Sequence, residues 1–358
     1  MSSRCVRRSK VTAVEVVTTA AAYELTKVLP EEVGMYSTIL VPLDGSELAE
    51  KALPIASTLA QATGARLTLV RAAWAHVVTG FDPTEAQVKA VREAEAYLKS
   101  AAKRLAAQGV FAETRTPYES AAEGILMEVD IQHADLVVMC THGRSGLGRL
   151  IYGSVAKGVL GRSPVPILLV RPTDAAKPSN GDLTGPAQLL VPLDGSDFAE
   201  AILPDAIDLA QAMRGELVLL RIVDPSDPDP SSGRTSPECA AGQAERPDSY
   251  LARTADQLRR AGLSVRTVVR FASPADAILA EEASGNFRLV AMATHGRTGL
   301  RDLITGSVAR EVILKGTLPD LLVRPAGLRH DAPGRTSGTE GQQIECSRAA
   351  AQRVERAG

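Results

Sequence analysis

Along the chain, short apolar runs alternate with longer segments whose apolar positions return every three to four residues. Thr38–Pro42, Arg66–Arg71, Phe111–Thr116, Asp135–Met139 and Ile167–Val170 read as strands. Between them Ser46–Ala62, Thr84–Gln108, Ser120–Gln132 and Gly153–Gly161 read as helices. In the second helix Ala86, Ala90, Ala94, Tyr97, Ala101 and Leu105 form one apolar stripe. Strand–helix–strand alternation implies right-handed crossovers and an open, doubly wound α/β sheet, parallel throughout, with helices on both faces.

The pattern is written twice. Ile39-Leu40-Val41-Pro42-Leu43-Asp44-Gly45-Ser46 returns 150 residues later as Leu189-Leu190-Val191-Pro192-Leu193-Asp194-Gly195-Ser196. Thr141-His142-Gly143-Arg144-Ser145-Gly146-Leu147 returns at an offset of 153 as Thr294-His295-Gly296-Arg297-Thr298-Gly299-Leu300. Gly153-Ser154-Val155-Ala156 and Leu168-Leu169-Val170-Arg171-Pro172 recur at the same offset. Four blocks in one order mark a tandem duplication. The expected organisation is an N-terminal extension over 1–35, a domain over 36–172, a linker over 173–186, a second domain over 187–325 and a disordered tail over 326–358. The linker and tail are assigned on their Pro, Gly and polar content. A loop is expected inside the second copy from Pro225 to Asp248.

Composition narrows the class. Of 358 residues, 45% are hydrophobic and 3% aromatic, so the cores must be aliphatic, which suits buried parallel strands under Ala-rich helices. Lys plus Arg (40) nearly balances Asp plus Glu (42), which gives no electrostatic case for nucleic acid or a membrane surface. No run approaches the roughly 18 apolar residues of a membrane helix. The basic start (Arg4, Arg7, Arg8, Lys10) invites a signal-peptide reading, but Glu15 interrupts the segment that follows. Cys5, Cys140, Cys239 and Cys346 form no CxxC pair, and five histidines offer no zinc motif, so a reducing cytoplasm is the expected setting.

Candidate chemistry gathers at the expected carboxyl ends of strands, where ligands sit in such sheets. Pro42-Leu43-Asp44-Gly45-Ser46 closes the first strand, and Pro192-Leu193-Asp194 repeats it. Asp44 and Asp194 can accept hydrogen bonds from an amino group or sugar hydroxyls, or can close a turn on their own backbone. After the fourth strand, nine residues separate Gly143 from Gly153-Ser154, and nine separate Gly296 from Gly306-Ser307. Backbone amides behind such glycines, with Arg144 or Arg297, can cradle phosphate; the same glycines can also serve turns alone. Arg71 and Ile222, at the ends of the second strands, place backbone groups where a flat base could lie. His142 and His295 read as loop residues. Phosphate-loop, dinucleotide and nucleophile-elbow patterns are absent.

These motifs together resemble the universal stress protein family, as a tandem pair covering nearly all of 36–325. The resemblance implies two five-stranded parallel sheets of the adenine nucleotide α-hydrolase-like kind. It also implies an ATP site in each, with Mg2+ accompanying the nucleotide. Pro42, Leu43, Asp44, Gly143, Arg144, Gly153, Ser154 and Val155 would serve the first site. Pro192, Leu193, Asp194, Gly296, Arg297, Gly306, Ser307 and Val308 would serve the second. The family's first glycine is replaced by Cys140 and Ala293. The resemblance further implies pairing of Val165–Val170 with Asp320–Val323 within one chain, while homodimers and a protein partner of unnamed identity fit the same pattern. The expected function is a cytoplasmic stress-response sensor or adaptor that binds adenine nucleotide and is not a fast enzyme. The alternatives are a protein with a closed pocket that binds no nucleotide, and a slow ATPase.

Overall fold

A computed structural model describes residues 36–74, 83–140, 153–171, 187–224, 247–284, 287–294 and 306–325. The first copy contributes β1 (Thr38–Pro42), α1 (Glu47–Glu50), α2 (Ala52–Thr63), β2 (Arg66–Val70), α3 (Pro83–Ala106), β3 (Ala112–Arg115), α4 (Ala121–Ile131), β4 (Leu136–Cys140), α5 (Ser154–Leu160) and β5 (Ile167–Val170). The second contributes β6 (Gln188–Leu193), α6 (Asp197–Glu200), α7 (Leu203–Ala212), β7 (Glu216–Val223), α8 (Pro247–Arg260), β8 (Ser264–Phe271), α9 (Pro274–Ser284), β9 (Phe287–Ala293), α10 (Ser307–Lys315) and β10 (Asp320–Val323).

The strands form one ten-stranded sheet in the order β3-β2-β1-β4-β5-β10-β9-β6-β7-β8. Each half is parallel and reverses its winding beside its first strand, between β1 and β4 and between β6 and β9. The halves join where β10 runs antiparallel to β5, with Leu321 opposite Leu168. This is the expected fifth-strand pairing, and it leaves only β3 and β8 as edges among the described strands. Aliphatic side chains such as Ile39, Leu59, Leu67, Leu98, Leu189 and Leu217 are fully buried. They belong to a core that continues across both copies.

Three local expectations are corrected. The single helix over Ser46–Ala62 is divided at Lys51, and the second copy divides likewise after Glu200. Pro54 and Pro204 lack the amide that would bond the carbonyls of Glu50 and Glu200, so an unbroken helix loses its ladder there. The fourth strand is shifted to Leu136–Cys140 because Asp135 is used elsewhere. Its Oδ2 accepts from Ser37 N–H (2.7 Å), Ser37 hydroxyl (2.6 Å) and Thr38 N–H (2.8 Å), tying the start of β1 to the start of β4. The third strand starts at Ala112, and Phe111 is left 84% exposed beside the sheet edge.

At the junction, Arg171 crosses from the first copy into the second. Its guanidinium pairs with Asp320 and donates to the Val312 carbonyl (3.1 Å), with Glu282 at 4.0 Å. The counterpart, Arg324, donates to the Gly161 carbonyl.

Candidate functional site

The turn after β1 is built from its own residues. Gly45 takes φ +89° and Gly195 φ +79°, a region open to glycine at little cost. Behind each glycine the chain doubles back, so Ser46 N–H and hydroxyl both donate to Asp44 Oδ1, at 2.8 and 2.6 Å. Ser46 Oγ in turn accepts the Ala49 N–H (3.1 Å), capping α1. Asp194 and Ser196 repeat this at 2.9 and 2.5 Å, with Ser196 capping α6. Of the two readings of these aspartates, the turn-closing one is therefore present, with Asp44 also lining the cavity described next.

At the carboxyl ends of β1, β2 and β4 lies a cavity of about 450 Å3, inside the range of roughly 300–1,000 Å3 usual for small-molecule pockets. Pro42, Leu43 and Asp44 line it from β1 and its turn, and Arg71, Ala72, Ala73 and Trp74 from the chain after β2. Cys140 lines it from β4, Gly153, Ser154 and Val155 from the start of α5, and Ala90, Glu93 and Ala94 from α3. Seven of the first-copy residues singled out in the sequence (Pro42, Leu43, Asp44, Arg71, Gly153, Ser154 and Val155) thus meet in one space. Gly153 is the N-cap of α5, and exposed Ser154 begins its first turn. The second copy places Pro192, Leu193 and Asp194 at the end of β6 and Gly306, Ser307 and Val308 at the start of α10. Gly143, Arg144, Gly296 and Arg297 lie outside the described residues, as do His142 and His295.

Cys140 stands where the resemblance expects glycine. Its side chain is 7% exposed and belongs to the core cluster, close to the N–H of Ala52. Burial pushes the thiol up to about 12, so it is protonated at neutral pH. The cavity persists beside it.

Ile222 is the next-to-last residue of β7, opposite Arg270; by the offset of 150 its counterpart is Ala72, which lines the first-copy cavity, while the counterpart of Arg71 is Arg221. Arg71 lies over the Tyr97 ring, 4.9 Å from its centre. Tyr97 hydroxyl donates to Glu50 (2.8 Å), which Arg104 also holds (2.7 Å). Tyr250 donates to Glu200 (2.7 Å) in the same way. Burial, then the carboxylate partner, lifts both phenols well above their ordinary range. Of this Arg–Tyr–Glu group only Arg71 belonged to the expected site; Tyr97 and Glu50 did not. Its signal lay in the duplication, since Arg71, Glu50 and Tyr97 return as Arg221, Glu200 and Tyr250.

The model of the universal stress protein family matches residues 35–171 and again 187–324. The chain belongs to the universal stress protein family. It is 36% identical over 150 residues to a universal stress protein of Thermus aquaticus, spanning all of that protein and 38% of this one. With a universal stress protein of Mycolicibacterium smegmatis it shares 29% identity over 196 residues, 54% of this chain and 62% of the relative's length. Among solved structures, a universal stress protein from Archaeoglobus fulgidus superposes with a TM-score of 0.64 at 20% identity, covering 82% of this chain and 98% of that one. That likeness supports the tandem fold. Among the described residues no helix is long and apolar enough to cross a membrane.

Proposed function

We propose that this universal stress protein binds ATP or a related adenine nucleotide at the carboxyl ends of the strands and acts as a sensor or adaptor in the cytoplasm. The observation that carries the reading is the convergence, in one cavity, of the Pro42–Asp44 turn, the chain after β2 and the Gly153–Ser154 helix start. Apolar walls from Leu43, Ala94 and Ile125 suit a base. The amides at the start of α5 suit phosphate oxygens. Gly143 and Arg144 would complete the phosphate end, and Gly296, Arg297, Gly306, Ser307 and Val308 would do so in the second copy. Mg2+ would accompany the phosphates.

A pocket closed by Cys140 is disfavoured by the thiol's place in the core and by the volume that remains. Binding rather than turnover is the proposed mode of action, with one carboxylate oxygen of the cavity-lining Asp44 held in the turn by Ser46. The test is the purified full chain, denatured and assayed for released nucleotide by chromatography and mass spectrometry. Adenine nucleotide at a substantial fraction of the protein concentration supports the reading. Protein that emerges free of nucleotide and takes none up from millimolar ATP overturns it.

A further inference from the structure

Trp74 is the sole tryptophan of the chain. It follows β2 and lines the cavity, yet 56% of its surface is exposed. A large aromatic side chain left this open at a cavity wall keeps most of its apolar surface in water, surface that a flat ligand can cover. Its backbone approach is firmly held. The Ala73 N–H donates to the Pro117 carbonyl (3.0 Å), and the Gln87 side-chain amide donates to the Ala73 carbonyl. The indole is therefore carried on a fixed stem. Helix α3 adds Ala90 and Ala94 to the same cavity, and their single methyl groups leave it room for a ring.

We infer that Trp74 is a base-stacking residue of the first-copy cavity and that it makes the two copies unequal as nucleobase sites. The inference rests on the adenine-nucleotide reading above and adds to it a residue for the base. At the matching position the second copy has Asp224, which has no ring to offer. The first site would then draw on the face of the base, and the second on its edges and phosphates. Stacking of a base on an aromatic side chain tolerates any purine, so ATP and GTP should both use Trp74.

The experiment titrates full-length protein with Mg-ATP, Mg-GTP and inorganic tripolyphosphate. Indole emission is followed for wild type, whose only indole is Trp74, and calorimetric heat for wild type, Trp74→Ala and Trp74→Phe. The expected result is a change of wild-type emission that saturates with the nucleotide heats. Trp74→Ala should weaken the tighter nucleotide site by roughly 5- to 100-fold, and Trp74→Phe should recover most of that loss. Tripolyphosphate should bind wild type and Trp74→Ala equally. Nucleotide binding that leaves the emission unmoved, or an affinity unchanged within twofold in Trp74→Ala, overturns the stacking role while leaving nucleotide binding intact. Absence of nucleotide binding by wild type overturns the reading on which it rests.

Discussion

The two copies agree where the turn after the first strand is made and differ where the cavity and the junction are finished. Both keep the Asp-Gly-Ser turn, the cap it supplies and the tyrosine that donates to a glutamate of the same copy. Around that shared frame, Trp74 faces Asp224, Arg104 faces Gln257, Ile167 faces Asp320 and Val129 faces Glu282 across the duplication. The frame is a matter of backbone geometry, which tolerates little change. Of the divergent positions, Ile167, Asp320, Val129 and Glu282 are buried. Both halves contribute to the junction, and among the described residues its carboxylates, Asp320 and Glu282, come from the second.

The largest effect should come from that asymmetry. Arg171→Met leaves Asp320 and Glu282 buried without their cation, and should cost about 3–5 kcal/mol in chemical denaturation. Arg324→Met removes a hydrogen bond to the Gly161 carbonyl, and should cost about 1 kcal/mol. Equal losses would show that the carboxylates are indifferent to Arg171.

The same cluster sets a pH dependence. Burial lifts the Asp320 carboxyl to about 7 against the opposing pull of Arg171, and Glu282 is raised for the same first reason. An acid raised in the folded state binds its proton more tightly folded than unfolded. Its contribution to stability is thus full below its ordinary value of 3.8 and is lost as pH rises through 7. Denaturation midpoints measured from pH 4 to 8 should fall less steeply for Asp320→Asn than for wild type. Parallel curves would contradict the assignment.

A smaller contrast lies in the tyrosines. Glu200 takes the Tyr250 hydroxyl, and Gln257 Oε1, at the position of Arg104, is buried with no hydrogen-bond partner among the described residues. Tyr250→Phe should therefore destabilise by about 1.5–3 kcal/mol, and Tyr97→Phe by less, since Arg104 still holds Glu50. The smallest difference belongs to the caps. Ser46→Ala and Ser196→Ala should each cost about 1 kcal/mol by thermal or chemical unfolding, with the two copies equal.

The sequence made the fold legible because a duplication tests each pattern against itself. The strands that repeat also pair as expected, down to β5 against β10. Strand ends were less legible, because Asp135 could be counted as strand when its carboxylate serves the start of β1. The helix break at Lys51 was signalled by Pro54 but hidden by continuous apolar spacing on either side. In the site, residues carried by motifs reached the cavity. Trp74 and the Tyr97–Glu50 pair did not announce themselves, because their partners come from separate elements and are matched only in space. β7 continues past the point where β2 ends, so Arg71 follows its strand whereas Ile222 is the next-to-last residue of its own.

Calorimetric titration of the purified, nucleotide-free full chain with Mg-ATP tests the central claim most directly. Saturable binding is predicted, weakened when Gly153→Val blocks the α5 end of the cavity. Absence of saturable heat at millimolar nucleotide, or heat indifferent to that substitution, would contradict it.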